Sequence, residues 1–315
     1  MPFEELAADF NHLKRVRRVD PRTSLELAGE FGTSALRVLL EHAEPHPMTW
    51  KGGGGKRYHV YTAHGSPLPF SRPVNESLFE GNPDTFGDLW KSFVAALVEA
   101  EKSGTRQVAI ERSSVDRAVY SAVIGYGAAV DIFNAGNRGG PGSFLEMVIG
   151  PVLAMLTGRP ESGALRLKVP GSADETELIP VDLTYIDDEE PIVLVVPTKI
   201  SSRERISQAA VHQRILDAIG GPGRYRSILC LANENNVMPE RGVPKAERTA
   251  ERCFARDTLV PGTIALYQKY IAKLYGLYYL DPPFEYITGK YSNLPPIRNF
   301  GNLLTSDLPG LLQVE

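Results

Sequence analysis

Between residues 164 and 232 the sequence reads as three strands, a helix and a fourth strand, and this order limits the available folds more than any other feature. Strand candidates fall at 164–169, 177–186 and 191–197, helical spacing covers 202–218, and Tyr225 to Ala232 is a nearly unbroken apolar run. Gly220-Gly221-Pro222-Gly223 stops the helix. Three strands, a helix and a buried strand predict an α/β fold: a mixed central β-sheet flanked by helices.

The first hundred residues are expected to be mainly helical. Phe3 to Val19, Ser24 to Glu44 and Phe86 to Lys102 place apolar residues three and four apart. Residues 45–85 are rich in Gly and Pro and are expected to form long loops. Further helices are expected at Val115 to Asp131 and Ser143 to Leu156. A strand is expected near 257–260, and an aromatic helix from Pro261 to about Tyr278. This divides the chain into a helical region, 1–105, and an α/β domain, 106–315.

The 315 residues suffice for a full core, and 43% hydrophobic with 23% charged residues is an ordinary globular balance. A net charge of −4 excludes a polycation that coats nucleic acid, so an anion-binding surface must be local. Lys199, Arg203, Arg205, Arg214, Arg224 and Arg226 against Glu204 and Asp217 form such a basic segment. Cys230 and Cys253 are expected to be buried thiols. The start of the chain lacks a signal-peptide pattern, and no apolar stretch is expected to approach the roughly 18 residues of a membrane span. The expected location is the cytoplasm.

The chemistry concentrates after residue 140. Asp182 sits in one strand candidate and Lys199 closes the next, Ile192 to Lys199, so a hairpin would bring carboxylate and ammonium to one end of the sheet. A carboxylate that can hold a divalent cation, beside a lysine that can stabilise charge on oxygen, suits metal-assisted phosphodiester hydrolysis. Glu146 lies early in a helix and admits two compatible readings: the end of a Ser143-x-x-Glu146 capping box, or a second acid aimed at Asp182. The run Asp187-Asp188-Glu189-Glu190 is expected at the hairpin tip.

Arg203-Glu204-Arg205 follows Lys199 closely. It too fits a capping box, from Ser201, but arginines in a first helical turn oppose the helix dipole and suggest an external partner. Arginine forks match guanine O6/N7 and a carboxylate accepts from cytosine N4, each good pair giving roughly 1–3 kcal/mol of discrimination. The tetraglycine Gly52 to Gly55 is not a nucleotide-binding P-loop, because Trp50 and Arg57 stand where glycine and Ser/Thr are required. It is expected to be a mobile surface loop, with phosphate contact by Lys51, Lys56 or Arg57 the minor alternative.

Together these residues resemble the PD-(D/E)XK nucleases, and within them the type II restriction endonucleases of the EcoRII/NgoMIV-like branch. That branch lacks the acid two positions before the lysine, a place held here by Pro197. The resemblance spans about residues 140–235. It implies catalytic roles for Glu146, Asp182 and Lys199, Mg²⁺ held by Asp182 and Glu146, and reading of CC:GG pairs by Arg203, Glu204 and Arg205. Where the family places a relocated glutamate, thirteen residues after the lysine, this chain has His212, which can orient water or take part in metal binding or be structural. The partner implied is double-stranded DNA, cut at a short palindrome by a homodimer. A nucleotide cofactor is not expected.

Two other readings start from the same residues. A structure-specific repair or recombination nuclease would use Asp182 and Lys199 without needing Glu204, and a DNA-binding protein without catalysis would need neither. A small-molecule α/β enzyme lacks support, since neither Gly-x-Gly-x-x-Gly after the first strand nor Gly-x-Ser-x-Gly occurs.

Overall fold

A computed structural model describes residues 2–16, 20–134, 136, 139–168, 171, 176–186, 191–202, 206–244 and 247–314. Five long helices, α1 (Pro2–Val16), α2 (Pro21–His42), α3 (Pro83–Lys102), α4 (Arg112–Phe133) and α5 (Gly140–Thr157), build one side of the molecule. Local chemistry sets several of their ends. Asp20 accepts from the backbone N–H of Arg22 and Thr23 ahead of Pro21, and Asn82 does the same for Asp84 and Thr85 ahead of Pro83. Gly158, at φ 68°, takes the left-handed conformation that ends α5.

The central sheet has seven strands in the order β12-β11-β8-β6-β5-β4, with β7 also paired to β8. Its members are β4 (Glu161–Lys168), β5 (Thr176–Tyr185), β6 (Val193–Val195), β7 (Thr198–Lys199), β8 (Tyr225–Asn233), β11 (Gly276–Asp281) and β12 (Ile297–Asn299). β5 runs antiparallel to β4 and β6, while β6, β7 and β11 run parallel to β8, so the sheet is mixed as expected. Helix α6 (Ile206–Gly220) crosses between β7 and β8, and α7 (Pro261–Tyr270) lies against α6.

One apolar cluster joins Leu6, Phe10, Phe31 and Trp90 to Tyr126 and Phe144, and on to Leu183, Tyr185, Leu194, Ile228 and Tyr278 of the sheet. Residues on both sides of position 105 therefore share a core. Phe31 stacks edge-on to Tyr126 and Phe144 at 4.8 and 4.9 Å, the geometry that aromatic quadrupoles favour.

Several sequence expectations need correction. Residues 45–85 are not all loop: β1 (Ala43–Trp50), β2 (Tyr58–Ala63) and β3 (Val74–Asn75) join β9 (Asn235–Pro239) and β10 (Cys253–Asp257) in a second sheet, β3-β2-β1-β10-β9. Prolines hid β1. Pro45 and Pro47 are two apart, so both turn the missing donor to one side, and β10 pairs only at Thr49 and Trp50. The strand expected at 257–260 is β10, ending at Asp257.

The aromatic helix ends at Tyr270, and Gly276–Asp281 is instead the fully buried strand β11, parallel to β8. A strand buried on both faces reads as a continuous apolar run without period two, so its sequence did not separate it from helix. The span Ile192 to Lys199 is two strands, interrupted at Val196-Pro197. One stretch does reach membrane-span length: α5, at 18 residues, is apolar enough by composition, and it is the buried core helix. Both cysteines are buried and free, as expected.

Candidate active site

The sheet delivers Asp182 and Lys199 to one rim. Strand β5 carries Asp182 three residues before its end, and Thr184 and Tyr185 pair antiparallel with Val195 and Leu194 of β6. After the break at Pro197 the chain pairs with β8 through Thr198 and Lys199, opposite Cys230 and Leu231. Val196 N–H still donates to Leu183 O at 2.8 Å, which keeps the offset segment tied to β5. The Lys199 ammonium consequently donates to Asp182 Oδ2, and the Thr198 N–H reaches the same oxygen at 2.9 Å. Both partners are mostly buried, with side chains 17% and 24% exposed.

Helix α6 closes the site from above. His212 and, one turn before it, Gln208 line the same cleft as Asp182 and Lys199, between Pro180, Val181, Pro197 and Ala209. Burial pulls the His212 imidazole below its ordinary pKa; the Asp182 carboxylate opposes that shift and the Lys199 ammonium adds to it. The ring is therefore held toward its neutral form. Gln208 did not emerge from the sequence, although its four-residue spacing from a candidate His212 was the signal that placed both on one helical face.

Glu146 is half-buried on α5, and its position is set by its neighbours four residues either way. A Cβ on Gly142 would stand 4.0 Å from Ile200, and one on Gly150 would stand 3.3 Å from Leu183. Ile200 and Leu183 pack toward α5, so Glu146 lies on the helix face turned toward the sheet; Asp182, next to Leu183 in β5, points to the opposite face, and Glu146 is not among the residues that line the α6 cleft. A Cβ on Gly150 would also meet Glu161 Oε2 at 2.1 Å, so a larger residue there requires that flexible side chain to move. The capping-box reading of Ser143 and Glu146 does not hold. Helix α5 begins at Gly140, with Pro141 setting its first turn, which leaves Ser143 inside the helix.

Among the described residues no three His, Cys, Asp or Glu side chains gather into a ready-made metal cage. The donor chemistry nonetheless fits a hard cation of low protein denticity. Asp182 takes both described hydrogen bonds on Oδ2 and none on Oδ1, and magnesium binds through one or two carboxylates while keeping waters and phosphate oxygens.

The other sequence expectations divide. Arg203, Glu204 and Arg205 lie outside the described residues, as does the acidic run 187–190. Arg226 leaves the basic surface: it is buried and donates to the carbonyls of Gly310 and Leu311 at 3.2 and 3.1 Å. Strand β8 is buried throughout, so an arginine within it needs carbonyl acceptors. Lys56 is likewise withdrawn from phosphate contact by Asp281 Oδ1 at 2.5 Å and Pro282 O at 2.7 Å. The glycine loop lies at the surface, as expected, with Gly52, Gly54 and Gly55 exposed, while Trp50 donates to Gly53 O and the Phe284 ring lies beside Gly53 and Gly54.

The mixed sheet flanked by helices matches the fold of restriction endonucleases. The crystal structure of the type IIP restriction endonuclease Kpn2I superposes on 99% of this chain and 98% of its own, with a TM-score of 0.76 at 25% sequence identity. That similarity, end to end, supports a site-specific DNA endonuclease. A weaker likeness, TM-score 0.43 at 11% identity over 73% of this chain and 92% of the other, is to restriction endonuclease PspGI in complex with substrate DNA. No protein-family model and no curated protein matches the sequence.

Proposed function

We propose that this chain is a Mg²⁺-dependent type II restriction endonuclease of the EcoRII/NgoMIV-like branch, cutting double-stranded DNA at a short palindrome that contains CC/GG pairs. The observation that carries the reading is the Asp182–Lys199 pair at the rim of the α6 cleft. Asp182, with Glu146, would hold the cation, which when bound supplies Lewis acidity at the scissile phosphate. Lys199, already anchored on Asp182, offers its ammonium to the charge that builds on the phosphoryl oxygens. His212, kept toward the neutral form, offers a ring nitrogen that orients the attacking water and accepts its proton. The water oxygen bonds to phosphorus as the P–O bond to the sugar breaks, the departing oxygen taking a proton from solvent, and Gln208, which lines the same cleft, would help to hold the strand in line.

Arg203, Glu204 and Arg205 read base edges in this scheme, four to six residues beyond the lysine. A homodimer supplies the two-fold symmetry of a palindrome. Val211, Ile215 and Ile219, 45%, 38% and 37% exposed along α6, are apolar surface of the kind a second copy would cover. Residues 1–105 would serve as an accessory region for DNA contact or dimerisation, beside a nuclease domain at 106–315, and the enzyme would work in the cytoplasm. Digestion of DNA of known sequence with Mg²⁺ tests the reading. Discrete fragments whose ends map to one short GC-containing motif are expected; intact DNA, or ends scattered over unrelated sequences, would overturn it.

A further inference from the structure

The carboxyl ends of the parallel strands make a continuous rim, and the Asp182–Lys199 pair occupies only part of it. Lys199 pairs with Leu231, Asn233 N–H donates to Ile200 O at 3.0 Å, and Asp281 lies opposite Asn233 at the end of β11. Lys56 Nζ then donates to Asp281 Oδ1 at 2.5 Å and to Pro282 O at 2.7 Å. These contacts lead from the lysine of the cleft to the end of the glycine loop. With strands about 4.8 Å apart and a rise of about 3.3 Å per residue, the Cα atoms of Lys199 and Asp281 stand roughly 12 Å from one another, about the width of a major groove.

The loop is held from several sides. Lys51 N–H donates to Ala255 O at 2.9 Å, Trp50 Nε1 to Gly53 O at 3.2 Å, and Glu76 N–H to Arg57 O at 3.0 Å. The Phe284 ring, past the end of β11, lies beside Gly53 and Gly54, so the loop sits beyond the carboxyl end of the sheet. A loop fixed in advance loses little conformational entropy when a ligand meets it.

What it turns outward suits a polyanion. Gly52, Gly54 and Gly55 are exposed, and among the described residues the N–H groups of Gly52 to Gly55 donate to no backbone carbonyl. Gly54 and Gly55, at φ 83° and 61°, occupy the left-handed region, and nothing stands within 4 Å of a Cβ built on Gly55. Residues 51–57 contain no acid. Asp281 neutralises Lys56, but Lys51 is exposed over the Phe254 ring, and Arg57 is 83% exposed in a pair with Glu76 at 3.3 Å that holds it weakly. Without side chains at the crest, phosphates can come up to the amides, and the two cations stand at either end.

We propose that the glycine loop is a second DNA contact: its amides, with Lys51 and Arg57, hold the phosphodiester backbone of the duplex about one groove's width from the scissile phosphate. This rests on the reading of the chain as an endonuclease of duplex DNA. A backbone contact carries no base information; it raises affinity and fixes the duplex across the rim.

The test measures kcat and KM for Mg²⁺-dependent cleavage of plasmid DNA of known sequence at several salt concentrations, with thermal unfolding followed alongside. Gly55→Asp and Gly55→Asn make the same steric demand and differ by one charge. Gly55→Asp is expected to raise KM about tenfold over Gly55→Asn, the change falling on KM and not on kcat. Gly104→Asp, which adds the same charge at an open left-handed glycine after α3, is expected to keep the parental KM. Lys51→Ala and Arg57→Ala are each expected to reduce the slope of log kcat/KM against log salt by about one. Equal KM in the two Gly55 variants, or the parental slope in both alanine variants, overturns the proposal. An equal rise in KM for Gly104→Asp overturns it too, since that marks a general effect of charge. A parent enzyme that leaves the plasmid intact sinks the endonuclease reading, and this proposal falls with it. If Gly55→Asp does not fold, Lys51→Glu takes its place: a rise in KM of about tenfold is expected, and a parental KM overturns the idea equally.

Discussion

Asp281 and Lys56 meet at 2.5 Å across 225 positions of sequence, and this contact joins the two sheets of the protein. Asp281 ends β11 of the central sheet; Lys56 precedes β2 of the second. The carboxylate also accepts from the Tyr58 hydroxyl at 2.8 Å and from the amides of Asn75 and Asn235 at 3.0 Å each. Asp281 is 1% exposed and Lys56 15%, so the pair is screened little by water. Removing one member leaves the other charge buried, which typically costs about 3–5 kcal/mol. Asp281→Ala is expected to lower stability by that order in urea unfolding, and Asp281→Asn by clearly less. A loss under about 1 kcal/mol for the alanine variant would show that the cluster does not hold the sheets together.

Removing the Lys199 ammonium should abolish chemistry and spare recognition. Lys199→Ala is expected to cut DNA at least a thousandfold more slowly, on the order of an electrostatic transition-state contact, while still retarding the specific duplex in gels. Asp182→Asn should behave alike. Cleavage by either variant at a tenth of the parental rate would remove the pair from the mechanism.

Chelation offers a separate check. EDTA is expected to stop cleavage and added Mg²⁺ to restore it, with the protein folded throughout as judged by circular dichroism. Undiminished cutting in excess chelator would contradict the assignment of Asp182 and Glu146 as cation ligands.

His212 predicts the shape of the pH–rate profile. Burial lowers its pKa, so the neutral ring persists below the ordinary histidine value of about 6.5, and the acid limb of the rate should fall under that value. His212→Ala should lose that limb together with about a hundredfold in rate. An acid limb at or above 6.5 in the parent would exclude the buried imidazole as the group responsible.

Asp116 should make stability depend on pH in the less common direction. It is 3% exposed and accepts the Gly301 N–H at 2.6 Å; burial, only partly offset by that bond and by Arg112, raises its carboxyl to about 6. A folded-state pKa above the unfolded one gives stability that is complete below about 4 and lost as pH rises through about 6. Asp116→Asn is therefore expected to match the parent near pH 4 and to exceed it at pH 8, by at most about 3 kcal/mol. Equal melting temperatures at both pH values would refute the ionisation assigned to this residue.

The exposed apolar row on α6 offers a test of assembly. Ile215→Asp on α6 is expected to shift a dimer toward monomer in sedimentation, because a charge at the centre of an apolar contact is left unsolvated. An unchanged sedimentation coefficient would move the interface elsewhere.

Local chemistry made much of this legible in advance. Helical periodicity placed α2 through α6 within a few residues, because each buries one apolar face or, in α5, nearly all of it. Alternation along β5 and the short distance in sequence to Lys199 predicted an acid and an amine at one rim, and the pairing of β7 with β8 completes that arrangement. What local pattern did not carry was β1, whose prolines imitate a loop, and β11, whose buried run imitates a helix.

Tertiary structure alone decided the rest. Arg226 and Lys56 look like surface cations in sequence, yet each is claimed by acceptors 84 and 225 positions away. Gln208 had only its four-residue spacing from His212 to mark it, because its place at the cleft exists only once α6 folds over the rim. Periodicity, capping and turn chemistry act over a few residues and can be read from the chain; which donor reaches which acceptor depends on how the layers pack, and that is fixed only when the whole core closes.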